Sequence, residues 1–145
     1  MPQTLSDALQ QTTFITDDDT YRLLKLPATA ISAAAGIIAQ IGDPFCALVV
    51  DAHEVTLLIP DEAVADFEAR LRDHELGERY KLITADADLS PDLIGYMSAI
   101  SNALAAANVG VFPYAAYTRD HILVPADQLP RALDALNELK SNHQS

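Results

Sequence analysis

Two side-chain pairs could do chemistry. His53-Glu54 and Asp120-His121 each join an imidazole to a carboxylate at a turn between two β-prone runs. Such a pair can move protons near neutral pH. Adjacent residues on a strand face opposite sides, however, so neither pair is well placed to act together. No serine or cysteine nucleophile stands beside them. His53, His74 and His121 lack ligand spacing, so a metal site is not expected. Asp17-Asp18-Asp19 has no further ligand at loop spacing and reads as a solvated turn. Cys46 is the only cysteine and lies in the apolar run FCALVV, where core packing is the favoured role. No catalytic residue and no cofactor is expected.

A more promising arrangement surrounds Ser90-Pro91-Asp92. A capping residue, a proline and an acid in this order predict the start of a helix. The free N–H groups of such a start can hold a carboxylate. Asp86 and Asp88, just before it, could hold an amino group. Together they would suit an α-amino acid. The plain alternative is that Ser90 only caps its helix and the acids are solvated.

The elements that would position these residues are legible from periodicity. Thr4–Gln11 predicts a short helix, and Thr12–Thr16 is β-prone. Tyr21–Leu26 predicts a strand and Ala28–Ile41 a helix closed near Gly42. Pro44 opens an extended segment, Phe45–Val50 and Val55–Ile59 form a hairpin about Asp51–Glu54, and Pro60-Asp61-Glu62 starts a helix with Val64, Phe67 and Leu71 inward. Arg72–Arg79 reads as a polar connector broken at Gly77. Tyr80–Thr84 is the next strand. The helix after Ser90 carries Leu93, Ile94, Met97, Ile100 and Leu104 on one face, and Asn108 suits a left-handed end. Val109–Tyr117 and His121–Val124 form a second hairpin. Asp127 is placed to cap a last helix with Leu129, Ala132, Leu133, Leu136 and Leu139 inward. Ser141–Ser145 is a polar tail.

The order strand, helix, strand, strand, helix therefore occurs twice. YRLLKL answers YKLIT, and IPDEAVADFEARL answers VPADQLPRALDAL. The expected fold class is α+β: two ferredoxin-like βαββα units with antiparallel sheets and helices on one face. The expected division is an N-terminal segment at 1–20, a first unit at 21–78 and a second at 79–145. A ferredoxin-like module needs a fourth strand. Nothing extended follows Lys140, so the halves are expected to share strands, with Thr12–Leu26 as the donor region.

The second half, DLSPDLIGYMSAISNALAAANVGVFPYAAYTRDHILVPADQLPRALDAL, resembles the tandem ACT-domain proteins, small-ligand regulatory modules also attached to aspartate kinases. Gly95, Leu104, Val109, Tyr117, Asp120, His121, Leu123 and Val124 carry the likeness. FCALVVDAHEVTLLIPDEAV extends it into the first half. The chain departs at Ala107-Asn108-Val109, where a small-Gly-Ile sequence is usual. The resemblance implies a non-catalytic regulatory module that binds a small molecule, an amino acid in the first instance. It places the ligand at the strand-to-helix loop: Asp86, Asp88, Leu89, Ser90, Leu93, Ile94 and Gly95, with Tyr117 and Asp120 from the hairpin. Two rivals stand beside it: an assembly protein with this fold and no ligand, and a small enzyme using Asp120 and His121.

Composition sets the outer bounds. The 145 residues carry 21 acidic against 9 basic side chains, a formal charge of −12. That argues against nucleic acid, whose binding requires a basic surface, and equally against anionic membranes. The longest apolar stretch, Ala28–Ile41, is too short to span a bilayer. The expected setting is the cytoplasm. Open sheet edges need cover, so a homo-oligomer, a dimer, is the expected partner arrangement.

Overall fold

The computed structural model describes residues 2–43 and 45–143. The expected extended start at Pro44 and the last two residues of the polar tail lie outside the described residues. The elements are α1 (Leu5–Gln11), β1 (Thr13–Thr16), β2 (Tyr21–Pro27), α2 (Ile31–Ile41), β3 (Ala47–Val50), β4 (Glu54–Pro60), α3 (Asp61–Asp66), β5 (Glu75–Asp86), α4 (Tyr96–Ala106), β6 (Phe112–Ala115), β7 (Asp120–Pro125) and α5 (Leu129–Asn142). They form two compact units. The central unit is Asp18–Tyr80. The split unit joins Met1–Asp17 to Lys81–Ser145. Strand β5 supplies Glu75–Tyr80 to the first and Lys81–Asp86 to the second.

In the central unit the strand order is β3-β4-β2-β5. All three pairings are antiparallel. With α2 after β2 and α3 after β4, this is the ferredoxin-like βαββαβ arrangement. Alternation decides the buried face. Leu24 and Leu26 of β2 and Val55, Leu57 and Ile59 of β4 share one core with Ala34 and Ile37 of α2 and Ala63 of α3. Gly42, at φ 68°, closes α2 where a side chain would be strained. Asp51 makes the hairpin turn by accepting from the backbone N–H groups of His53 (2.8 Å) and Glu54 (2.9 Å).

The helix after Pro60 is shorter than its apolar stripe suggests. It ends at Asp66, and a single 3-10 turn over Glu68–Arg70 brings Leu71 into the core. Asp61 bridges Arg22 (3.4 Å) and Arg79 (3.2 Å). These arginines sit opposite one another across β2 and β5. The shared carboxylate offsets a like-charge pair that would otherwise be unfavourable.

The polar stretch before Tyr80 is not a connector. It is the first half of β5, and Gly77 is a strand residue. The reason is close backbone approach. A Cβ at Gly77 would sit 3.0 Å from the Leu23 carbonyl oxygen, beside the register shift between Arg22 and Leu24. Gly77→Val is therefore expected to lower stability by about 1–3 kcal/mol through overpacking, read as a lower urea midpoint.

The split unit has the order β1-β5-β7-β6. It is a ferredoxin-like unit whose fourth strand comes from the start of the chain. β1 pairs antiparallel with β5, Thr13 opposite Asp86 through Thr16 opposite Ile83. The expected strand sharing thus falls on Thr13–Thr16. Ile83, Ala85, Ile122 and Val124 form the sheet's inner face. Tyr96, Ile100 and Leu104 of α4, Ala132 and Leu136 of α5, and Ala8 and Leu9 of α1 pack on it. Thr12 is the only buried polar residue among those described. Its hydroxyl reaches the Ala8 carbonyl and the Tyr96 hydroxyl, each at 2.6 Å.

Three local expectations are corrected in this unit. Helix α4 begins at Tyr96 rather than at Ser90-Pro91-Asp92, which forms a turn closed by Leu93 N–H donating to the Ser90 carbonyl (3.0 Å). The cap position is Gly95 at φ 93°, and Ser90 turns its hydroxyl to the Asp92 carboxylate. Residues 109–111 are not strand: Asn108, at φ 60°, ends α4 left-handed as expected, and Val109 N–H folds back to the Leu104 carbonyl (2.9 Å). Asp127 does not cap α5. It lies in the 3-10 turn Ala126–Gln128, and the cap position, Gln128, makes no capping bond.

Candidate functional site

The candidate site lies in the split unit, where the β5–α4 loop meets the β6–β7 turn. Leu89 N–H donates to the Thr118 carbonyl (3.2 Å), and Ala116 N–H donates to the Arg119 carbonyl (2.8 Å). The Arg119 guanidinium binds the Asp86 carboxylate at 2.6 Å. These contacts hold the turn against the end of β5. A cavity of about 220 Å³ opens beside them, lined by Leu89, Ser90, Pro91, Leu93 and Tyr96 on one side and Ala115–Asp120 on the other. Its volume suits a small polar metabolite.

The expected ligand residues divide clearly. Leu89, Ser90, Leu93, Tyr117 and Asp120 line this cavity. Asp88 lines an adjoining hollow with Ser90, Pro91, Asp92 and Tyr117. Asp86 is engaged by Arg119 instead of facing the cavity. Ile94 is 88% exposed and, like Gly95, is not among the lining residues. Tyr117, 89% exposed, forms a lip rather than a floor. The row of helix N–H groups expected at Ser90–Asp92 does not exist, because the helix starts later. Of the expected acids, Asp120 is the one that lines the cavity.

Sequence reasoning missed Arg119 and Gln3. Arg119 was legible only as a turn residue; its partner is 33 positions away. Gln3 lies far from the loop in sequence, yet its carboxamide binds the backbone of Asp88 and Ser90.

Asp120 and His121 do not converge. Asp120 lines the cavity, whereas His121 is absent from its walls and bonds through Nδ1 to the Thr84 hydroxyl (2.9 Å). Burial pushes the Asp120 carboxyl above its ordinary value, with His121 pulling it back. Burial draws the His121 imidazole down, opposed by Asp120. The folded chain thus holds Asp120's proton more tightly than the unfolded chain does. Stability from this group falls as pH rises through the window above the ordinary carboxylate value, about 3.9. For His121 the sign reverses: stability falls as pH drops through the window below about 6.5. Asp120→Asn is expected to raise the urea midpoint at neutral pH and leave it unchanged at about pH 3, below both carboxyl values.

Among the described residues, no group of three or more His, Cys, Asp or Glu side chains could hold a metal ion. No helix among them is long and apolar enough to cross a membrane. A larger groove, about 500 Å³, runs between α4 and α5. Alanines dominate its lining.

The fold defines the class: an α+β protein of ferredoxin-like units, the fold that ACT domains share. Residues 75–138 match the model of the ACT domain family. Among solved structures, a Vibrio cholerae protein of unknown function is similar over 94% of this chain and 96% of its own, with a TM-score of 0.75 and 23% identity. The regulatory subunit of aspartate kinase from Thermus flavus is similar over 89% and 98%, with a TM-score of 0.70 and 12% identity. A protein from Agrobacterium tumefaciens is similar over 90% of both chains, with a TM-score of 0.70 and 16% identity. No curated protein matches the chain.

Proposed function

We propose that this protein is a non-catalytic regulatory module of the cytoplasm that binds a free amino acid in the cavity between the β5–α4 loop and the β6–β7 turn. The observation that carries the reading is the cavity itself. It combines apolar walls from Leu89, Leu93 and Tyr96 with Ser90 and the part-buried carboxylate of Asp120. A carboxylate kept partly out of water is suited to an ammonium group. The ACT match over residues 75–138 and the likeness to an aspartate kinase regulatory subunit support the same reading.

Ligand binding would bias an equilibrium between two arrangements of the protein. A dimer suits this role. The edge strand β3 leaves Val49 and Val50 nearly half exposed and carries neither charge nor proline to block pairing.

A thermal-shift series with the twenty amino acids tests the proposal. A ligand that binds only the folded state raises stability by about 2.7 kcal/mol at a hundred times its Kd. At least one amino acid is expected to raise the melting temperature, and Asp120→Ala is expected to abolish the rise. A flat series would refute amino-acid sensing. A rise that survives Asp120→Ala would move the ligand elsewhere.

A further inference from the structure

The loop at the heart of the site is already engaged, and by a side chain. Gln3 is half-buried just ahead of α1. Its Nε2 donates to the Asp88 carbonyl at 3.0 Å, and its Oε1 accepts from the Ser90 N–H at 2.8 Å. The two backbone groups lie two residues apart and present one acceptor and one donor. A primary carboxamide carries the complementary donor and acceptor in one plane. A carboxylate has only acceptors and would face the Asp88 carbonyl with no proton to share. A hydroxyl has a single centre and cannot span both groups.

Charge sharpens the preference. The hollow around Gln3 is lined by Pro2, Asp88, Leu89, Ser90, Pro91, Asp92, Tyr117 and Thr118. Two of these are acidic and none is basic, so a neutral amide is favoured over an anionic side chain while an α-ammonium group finds carboxylates nearby. The Gln3 side chain is also releasable. Thr4 caps α1 and Leu9 anchors it in the core, so Gln3 can swing away without disturbing the packed helix.

We infer that the Gln3 carboxamide is a built-in stand-in for ligand, and that the slot it fills recognises the side-chain amide of free glutamine. This rests on the amino-acid-binding reading of the same loop, whose Leu89–Pro91 stretch lines both the cavity and the hollow that holds Gln3, and it gives that loop both a ligand class and a competitor. Free glutamine displaces Gln3, so the start of the chain sets the concentration at which the site responds.

The test is titration calorimetry of the full chain with L-glutamine and, separately, L-glutamate. Gln3→Ala is expected to bind glutamine about tenfold or more tightly than the wild type, because the internal competitor is gone. Gln3→Asn, one methylene too short to reach both backbone groups, is expected to show the same gain and guards against misfolding of the alanine variant. Glutamate is expected to bind either variant at least about tenfold more weakly than glutamine does. Propionamide, the bare side-chain fragment, should raise the melting temperature of Gln3→Ala and leave that of the wild type unchanged. Unchanged or weaker glutamine binding in both variants would overturn the inference, as would equal binding of glutamate. If another amino acid binds the wild type while neither variant gains glutamine affinity, the inference fails and the sensor reading stands. If no amino acid binds any of the three proteins, both fail.

Discussion

Deleting residues 2–16 is expected to leave Lys81–Ser145 without a cooperative unfolding transition. The deletion removes β1, and with it the pairing from Thr13 opposite Asp86 to Thr16 opposite Ile83. It also removes α1, whose Ala8 and Leu9 are fully buried in the core of the split unit. Burying one leucine stabilises by about 1.5–3 kcal/mol, and domains of this size are stable by only about 5–15 kcal/mol. The Tyr96 hydroxyl would lose its Thr12 partner, at a further cost of about 1–3 kcal/mol if it stays buried. The point variant Leu9→Ala isolates the packing part and is expected to cost about 2–5 kcal/mol. Amide exchange gives the readout by region: protection should fall across α4, β7 and α5 in both variants. Full protection of those elements after the deletion would show that residues 81–145 fold without the first strand.

The second large effect is expected at the site. Arg119→Glu replaces the 2.6 Å bridge to Asp86 with a repulsion, in a stretch that also holds Asp88 and Asp120. Arg119 and Asp86 are 47% and 40% exposed at their side chains. Exposed bridges contribute little to stability, so overall stability should change little. The turn they anchor is one wall of the cavity, however. On the proposed function, amino-acid binding is expected to fall by about tenfold or more, because the wall would no longer hold the ligand's geometry. The combination is diagnostic: a near-normal melting temperature together with a lost ligand-induced shift. Arg119→Lys, which keeps the charge but not the planar fork, should recover only part of the binding. An intact ligand-induced shift in Arg119→Glu would remove the bridge from the site.

These two cases also show what the sequence makes legible. The twofold order of strand, helix and hairpin follows from periodicity, and both helix ends at Gly42 and Asn108 were readable because left-handed residues are few. The need for a strand from the chain's beginning was readable from what is missing after Lys140. The first half of β5 was not. Glu75–Arg79 is exposed throughout, so no apolar alternation marks it, and it is strand only because β2 lies alongside. Ser90-Pro91-Asp92 misled because capping chemistry is local, whereas the chain delays its helix until Gly95 supplies a positive φ. Within the site, the apolar positions Leu89 and Leu93 were within reach of pattern reading. Arg119 with Asp86, and Gln3 with Asp88 and Ser90, were not, because nothing local links residues that far apart.

The borrowed first strand bears on how the protein is made. Thr16 leaves the ribosome long before Ile83, which it must pair with. At ordinary synthesis rates the interval is roughly 3–13 s. Throughout it, α1 and β1 carry apolar residues with no partner, while the central unit has time to fold. A chaperone that shields the nascent start, or codons that speed passage through residues 18–80, would shorten that exposure. Until β5 emerges, the apolar residues of α1 and β1 are a liability for aggregation in the newly made chain.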